Sequence, residues 1–206
     1  MDKSVMNKLT YGLFVLTAFD GEKHNGCIVN TTIQVTSEPN RIALAVNKSN
    51  LTHDMIMENR KLNISVISED AKFDLFKRFG FVSGRDVDKF EGFTGYKKAV
   101  NDLYYVTEGT NSYISAWVEQ TVDMGTHTLF IALITNLETL SNVPSASYGY
   151  YHSNIKPKPE KKVETPANQS VWRCKVCNHE YVGEELPEDY ICPICKHPAS
   201  DFERIS

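Results

Sequence analysis

Four cysteines near the C-terminal end of this 206-residue chain form two Cys-x-x-Cys pairs. The first pair is Cys174 and Cys177, and the second is Cys192 and Cys195. Four thiolates brought together by such short loops can enclose one metal ion tetrahedrally, and sites of this kind hold zinc or iron. The spacing by itself favours zinc, because two such pairs on either side of a short loop are typical of zinc ribbons.

The residues around the cysteines favour iron. Trp172 precedes the first pair, Pro193 lies inside the second, and the sequence Asp201-Phe202-Glu203 follows. This pattern resembles rubredoxin, which implies a mononuclear iron site with four cysteine ligands that accepts one electron. We expect four aromatic residues to form its small core: Trp172, Tyr181, Tyr190 and Phe202. Fourteen residues separate Cys177 from Cys192, fewer than in most rubredoxins, so structural zinc is the alternative.

The composition is that of an ordinary soluble globular protein. A formal net charge of −4 with scattered acidic and basic residues argues against a nucleic-acid partner. The early apolar run from Leu13 to Phe19 is too short to cross a bilayer, so no membrane association is expected. With four cysteines assigned to the metal and Cys27 left as a small buried hydrophobe, a disulfide framework is absent. A reducing, cytoplasmic location is therefore expected.

A segment rich in charge and proline divides the chain. Residues 153–170 contain three prolines and almost no large apolar side chain, so we predict an extended linker there. The linker separates a body of residues 1–152 from a metal domain of residues 171–206, which is too small to fold reliably without its metal.

Short segments rich in β-branched residues predict strands in the body, among them Tyr11–Phe19, Cys27–Val35, Arg41–Val46 and Leu62–Ile67. Ser112–Val122 and His127–Glu138 are longer and predict a hairpin that closes a barrel. Two short helices are predicted, at Thr52–Glu58 with Thr52 as the N-cap and at Ala71–Arg78. The predicted fold class is mainly β, a barrel with short helices followed by a small metal domain.

The body also carries six short motifs. They are Asn25–Thr32, Val35–Pro39, Ala45–Ser49, Thr52–Asp54, Phe79–Gly80 and Ser83–Phe90. In this order they resemble the flavin reductase-like family, the FMN-binding split β-barrels, over nearly all of residues 1–152. The resemblance implies bound FMN, reduction by NADH or NADPH, and a homodimer in which the second subunit completes the flavin pocket. A split barrel joined to a rubredoxin resembles the high-molecular-weight rubredoxins, which implies a flavodiiron protein reducing nitric oxide or dioxygen as the electron acceptor.

One motif is suited to the flavin phosphate. Asn47, Lys48 and Ser49 offer an amide, a cation and a hydroxyl just before a helix N-terminus, which a phosphate dianion would favour. The resemblance places His53 near the phosphate or the ring. Without the resemblance, the same residues would pass for an ordinary polar turn.

Another motif is suited to the isoalloxazine ring. Asn30, Thr31 and Thr32 lie on a predicted strand that can present hydrogen-bonding groups to the ring. Without the resemblance, these threonines would be ordinary strand residues. The resemblance places His127 on the open face of the flavin, where nicotinamide would stack.

The predicted flavin body and the predicted iron domain could act in one electron-transfer reaction. A nicotinamide donates a hydride, which carries two electrons, whereas an Fe(Cys)4 site accepts one. A flavin between them can divide the pair, so we predict an NAD(P)H-dependent oxidoreductase that passes electrons from FMN to iron. The alternatives are an FMN-binding module or a free-flavin reductase, each with a structural zinc knuckle. Direct reduction of iron chelates is also open.

Overall fold

The structure is a computed structural model that describes residues 3–157, 170–176, 179–193 and 197–205. The chain divides into two compact units, Met1–Ser153 and Asn154–Ser206, and each is described by itself. Cys177, Cys195 and residues 158–169 of the predicted linker lie outside the described residues. A helical turn before that gap ends at Ile155, so the first residues of the predicted extended linker are helical.

Strands and short helices alternate along the first unit. Its strands are β1 (Phe14–Phe19), β2 (His24–Val29), β3 (Ile33–Ser37), β4 (Asn40–Asn47), β5 (Lys61–Ile67), β6 (Tyr96–Lys98), β7 (Tyr104–Val106), β8 (Thr110–Asp123) and β9 (His127–Thr139). Its helices are a 3₁₀ helix at Lys3–Lys8, α1 (Leu51–Asn59), α2 (Phe73–Gly80) and α3 (Tyr148–Tyr150), which continues as a π-helical turn over Tyr151–Ile155.

Seven strands form one antiparallel sheet in the order β2-β1-β5-β8-β9-β4-β3, and β6 pairs with β7 in a separate hairpin. One hydrophobic core takes buried side chains from six of the seven strands and from α1. Leu16, Ile64 and Phe130 are among its fully buried members. A sheet whose strands contribute to one core in this way must wrap around it. The predicted mainly β fold is confirmed.

The predicted hairpin of Ser112–Val122 and His127–Glu138 is confirmed as β8 and β9. The predicted N-cap of the first helix was wrong. α1 begins at Leu51, after Asn50 in an extended conformation, and Thr52 lies inside the first turn. Its hydroxyl faces inward and accepts a hydrogen bond from the side-chain amide of Asn25 at 2.9 Å, so it is not available to cap the helix. Within the described residues, no helix has the length and apolar character needed to cross a membrane.

The 82–90 loop, which follows α2, is fastened to β2 by two lysines. The ammonium of Lys23 donates to the carbonyl of Gly84 at 2.8 Å. The ammonium of Lys89 donates to the carbonyls of Gly26 at 2.9 Å and Phe79 at 3.1 Å. Lys89 is only 4% exposed, and its burial lowers the pKa from 10.5 to about 8. Both of these acceptors are neutral carbonyls, so the charged form of Lys89 is disfavoured at this position.

We expect the folded protein to gain stability over the unfolded chain as pH rises from about 8 to 10.5. Over that interval the unfolded chain keeps a proton that the folded protein has lost from Lys89. The free energy of unfolding therefore rises by at most about 1.4 kcal/mol per pH unit. Urea unfolding measures this. The free energy of unfolding of the wild type minus that of Lys89→Met should be larger near pH 9.5 than near pH 7.5. A difference that is the same at both pH values would contradict the lowered pKa.

The second unit is built around a three-stranded antiparallel sheet. Its strands are β10 (Ser170–Cys174), β11 (Glu180–Gly183) and β12 (Phe202–Arg204), in the order β11-β10-β12. The ring of Tyr190 lies 4.6 Å from that of Tyr181 and 5.3 Å from that of Phe202, measured between centroids. Three of the four residues that the sequence predicts for the small aromatic core thus lie together, and the fourth, Trp172, is half-buried on β10.

Candidate cofactor sites

Pairing between β4 and β9 brings most of the predicted phosphate segment next to His127. Asn47, the last residue of β4, lies opposite His127, the first residue of β9. The side-chain oxygen of Asn47 accepts hydrogen bonds from the amide and the hydroxyl of Ser49, both at 2.9 Å. The amide of Lys48 donates to the carbonyl of Thr126 at 3.0 Å. These bonds hold the segment in one conformation immediately before α1.

The ammonium of Lys48 already has an anionic partner. It lies 2.7 Å from a carboxylate oxygen of Asp123 at the end of β8, where both side chains are exposed. The hydrogen bond from Lys48 holds the pKa of Asp123 below its ordinary value. An incoming phosphate would therefore share Lys48 with Asp123.

The first turn of α1 is suited to an anion. Asn50, at the cap position, makes no side-chain capping bond. The amides of a helix's first turn point along the axis toward its N-terminal end, where the helix dipole favours negative charge. The predicted cation and hydroxyl, Lys48 and Ser49, directly precede this turn.

His53 lies in the first turn of α1, but its ring is turned into the barrel. The ring is buried and packs edge-on against Phe130 with centroids 5.7 Å apart. Nδ1 is hydrogen-bonded to a carboxylate oxygen of Asp54 at 2.9 Å, and Nε2 to the hydroxyl of Thr128 at 2.8 Å. Both ring nitrogens are thus engaged within the chain, so His53 connects α1 to β9. A direct bond from His53 to a ligand would break one of these contacts.

The predicted strand at Cys27–Val35 is divided in the structure. β2 ends at Val29 and β3 begins at Ile33, which leaves Asn30, Thr31 and Thr32 as a connecting segment. The hydroxyl of Thr31 donates to the carbonyl of Ala45 at 3.0 Å and accepts from the amide of Ala45 at 3.1 Å. A side chain therefore takes the place of a peptide group in pairing with β4, which explains why the strand is interrupted.

Thr32 differs from its neighbour Thr31. It is 9% exposed, and its hydroxyl oxygen has no hydrogen-bond partner in the part of the chain that the structure describes. A buried hydroxyl without a partner is unfavourable unless something else completes it. A polar ligand edge at this segment would supply the missing partner, so Asn30–Thr32 fit the proposed position of a flavin ring.

The two threonines provide a matched test. Thr31→Val should lower the free energy of unfolding of the flavin-free protein by about 1–3 kcal/mol, because both peptide groups of Ala45 lose a partner. Thr32→Val makes the same change one residue later and should leave that free energy unchanged or slightly higher. Urea unfolding of both variants measures the difference. Equal losses in the free energy of unfolding would contradict the assignment of hydrogen bonds to Thr31 and of none to Thr32.

An ion pair that the sequence does not predict also reaches α1. Arg85, in the 82–90 loop, donates from Nη2 to a carboxylate oxygen of Asp54 at 2.6 Å. The hydrogen bond from His53, together with Arg85, holds the pKa of Asp54 below its ordinary value. Because Asp54 and Arg85 are 31 residues apart, no local pattern around either one signals the contact.

The second unit contains two matching cysteine loops. The amide of Cys174 donates to the carbonyl of His179, and the amide of Cys192 donates to the carbonyl of His197, both at 2.8 Å. Each bond spans five residues, and both cysteines are fully buried. Two loops closed by the same hydrogen bond, each beginning with a buried thiol, fit the two halves of a tetrahedral metal site. The other two predicted ligands, Cys177 and Cys195, lie outside the described residues.

The fold and the two sites define a class of protein: a β-barrel with a candidate anion site, joined to a small domain with paired buried cysteines. Models of two known families match the chain. The flavin reductase like domain matches residues 6–158, and the rubrerythrin, rubredoxin-like domain matches residues 172–203. The chain therefore belongs to the flavin reductase-like family and carries a rubredoxin-like domain. Both resemblances read from the sequence are confirmed, and they support flavin and iron as cofactors.

Individual relatives agree with this assignment. The high molecular weight rubredoxin of Moorella thermoacetica is 36% identical, with 100% of both chains covered. The ferric-chelate reductase (NAD(P)H) of Archaeoglobus fulgidus is 33% identical over 84% of this chain and 98% of its own. An FMN-binding protein from Thermus thermophilus is 18% identical and shares the fold, with a TM-score of 0.63 over 77% of this chain and 92% of its own.

Proposed function

We propose that the protein is an NAD(P)H-dependent oxidoreductase that passes electrons from FMN to an Fe(Cys)4 site and then to a partner protein. The observation that carries this proposal is the presence of both domains in one chain, in the arrangement of its full-length relative. FMN, when bound, accepts a hydride and returns its electrons singly. The relatives' names support the details, since one names FMN and another names NAD(P)H.

Each part of the first unit has a task in this proposal. The Asn47–Ser49 segment and the first turn of α1 hold the phosphate, using the amides, the hydroxyl of Ser49 and the charge of Lys48. The Asn30–Thr32 segment borders the ring, with the hydroxyl of Thr32 completing a hydrogen bond. His127, at the start of β9, lies beside the phosphate segment and borders the space for nicotinamide.

The iron pathway has a direct test. Cys192→Ser should abolish the visible absorption of the iron site and the reduction of an external one-electron acceptor, while leaving flavin reduction by NADH intact. Cys27→Ala removes the buried thiol of β2 and serves as the control, with the iron absorption unchanged. Anaerobic spectra before and after adding NADH, with metal analysis, measure both. Zinc in place of iron, or an iron band that NADH does not bleach in the wild type, would refute the proposed pathway.

We also propose that the first unit functions as a homodimer. What supports this is the outer face of the sheet, where three rows of paired residues cross from strand to strand. The rows are Ile33–Ala43–Ile131–Gln120, Ala45–Leu129–Val122 and Arg41–Leu133–Trp117. Ile33, Trp117 and Val122 are exposed although they are large and apolar. A mostly apolar face of this extent is typical of a subunit interface. It is continuous with the flavin segment, because Thr31 bonds to Ala45.

A single charge on this face should separate the subunits. Ile33→Glu places a carboxylate at the β3 end of the apolar rows and is expected to give monomers that lose FMN during gel filtration. Val100→Glu is the matched control, since Val100 is even more exposed but lies in the β6–β7 turn. Light scattering of the purified proteins gives the masses. A monomeric wild type, or a dimeric Ile33→Glu variant, would rule out this interface.

The electron acceptor is proposed to be a protein with a basic rim, such as a flavodiiron protein that reduces nitric oxide or dioxygen. In the second unit, Val182 and Ile191 are exposed apolar residues, and Ile191 directly precedes the buried Cys192. Exposed carboxylates lie nearby in the sequence: Glu184, Glu185, Glu188 and Asp189. Exposed apolar residues in an acidic stretch of sequence favour a partner of opposite charge. A second candidate function, reduction of ferric chelates, is favoured by the similarity to the Archaeoglobus fulgidus reductase.

A further inference from the structure

We propose that Arg85 is a second cation of the flavin phosphate site and that Asp54 positions it. The inference rests on the proposed binding of FMN and adds a residue for which neither the motifs nor the comparisons assign a role.

The position of Arg85 is fixed by its contact with α1. Its guanidinium donates to Asp54 at 2.6 Å, and the Arg85 side chain is 49% exposed. Asp54 lies in the first turn of α1. Side chains on a helix lean toward its N-terminus, so the carboxylate of Asp54 brings the guanidinium toward the end where the phosphate is proposed to bind. Arg85 thus approaches α1 from the 82–90 loop, while Lys48 approaches it from β4.

Asp54 connects the 82–90 loop to strand β9. One carboxylate oxygen bonds to Arg85, and the other bonds to His53, whose second ring nitrogen bonds to Thr128. Thr128 follows His127, the residue opposite Asn47. A continuous chain of hydrogen bonds therefore runs from β9 through α1 to Arg85. It fixes the cation relative to the segment that is proposed to hold the phosphate.

The loop that carries Arg85 is also packed against Asn25 of β2, which is itself bonded to the start of α1. A Cβ atom added to Gly84 would lie 2.1 Å from the side-chain oxygen of Asn25, so only glycine allows this approach. The amide of Asn25 donates to Thr52 in the first turn of α1. The bond from Lys23 to the carbonyl of Gly84 adds a third attachment. The loop is thus held at α1 independently of Arg85, and removing the guanidinium should not release it.

The chemistry of the two cations favours Arg85 as a phosphate ligand. A guanidinium carries five donors in a planar fork that matches phosphate oxygens, and the bond to Asp54 engages one nitrogen of that fork. An ammonium is a point charge, and that of Lys48 is already bonded to Asp123. The buried hydroxyl of Thr32, without a partner among the described residues, is a separate sign of a ligand, and Thr32 follows Thr31, which bonds to Ala45 on the strand that ends at Asn47.

Riboflavin distinguishes a phosphate contact from a structural role, because it has the ring of FMN and no phosphate. The full-length protein, stripped of flavin, would be titrated with FMN and with riboflavin while flavin fluorescence is followed. Arg85→Ala should weaken FMN binding roughly 10- to 100-fold, as expected for a lost charge-assisted bond. Riboflavin binding should stay within about twofold. Arg85→Lys keeps the charge without the fork, so its affinity for FMN should lie between that of the wild type and that of Arg85→Ala.

The role of Asp54 is tested with the same two ligands. Asp54→Asn removes the charge that aims Arg85 and should weaken FMN binding by less than Arg85→Ala does, with riboflavin unaffected. Asp54→Glu should restore part of the loss. Lys98→Ala is the control, because it removes a cation from a comparable exposed ion pair, with Asp102, on the β6–β7 hairpin.

The outcomes separate this inference from the proposed function. Wild-type protein that binds neither flavin would overturn the proposed function and this inference with it. Wild-type binding of FMN together with full affinity in Arg85→Ala would overturn the role of Arg85 alone. Equal losses for FMN and riboflavin in Arg85→Ala would show that the residue holds the fold instead of the phosphate, which also overturns the inference.

Discussion

The pairing of β8 with β9 is the interaction on which the rest of the first unit depends. It joins β2-β1-β5 on one side of the sheet to β4-β3 on the other. The ladder runs from Ser112 opposite Thr139 to Asp123 opposite Thr128, with irregularities at Ser115/Ala116 and Val118/Gln120. Bulges bend a strand and increase its twist. Beyond the second one β8 is exposed, whereas β9 keeps alternate buried residues, and this end of the hairpin carries Asp123 and His127 to the phosphate segment.

The electrostatics of the proposed phosphate pocket follow from this arrangement. Lys48 is paired with Asp123 and Arg85 with Asp54, so the four formal charges cancel. A phosphate dianion would enter a pocket without net charge from these side chains. Its binding would depend on the direction of donors, the amides of the first turn of α1 and the fork of Arg85, more than on bulk attraction. This is why the positions of Asp54 and His53 matter although neither one is proposed to touch the flavin.

Local patterns predicted much of the molecule. The long alternating segments predicted β8 and β9, and the order of short motifs predicted the family. The contacts that local patterns missed depend on residues far apart in the sequence. The bond from Arg85 to Asp54 spans 31 residues, and the hydroxyl of Thr31 bonds to Ala45 across a strand pairing. Local propensity also misplaced the cap of α1, because the hydroxyl of Thr52 is used by Asn25 inside the protein.

The bonds between Thr31 and Ala45 restrict how this barrel can diverge. One hydroxyl serves as donor to one peptide group of Ala45 and as acceptor from the other, a double role that the hydroxyl of serine or threonine can fill. Position 31 is therefore constrained by folding, whereas Asn30 and Thr32 are not held in this way. The side chains on either side of Thr31 can change during evolution without loss of the hydrogen bonds that join Thr31 to Ala45. Differences in flavin or substrate preference among related barrels should therefore arise at the two flanking positions.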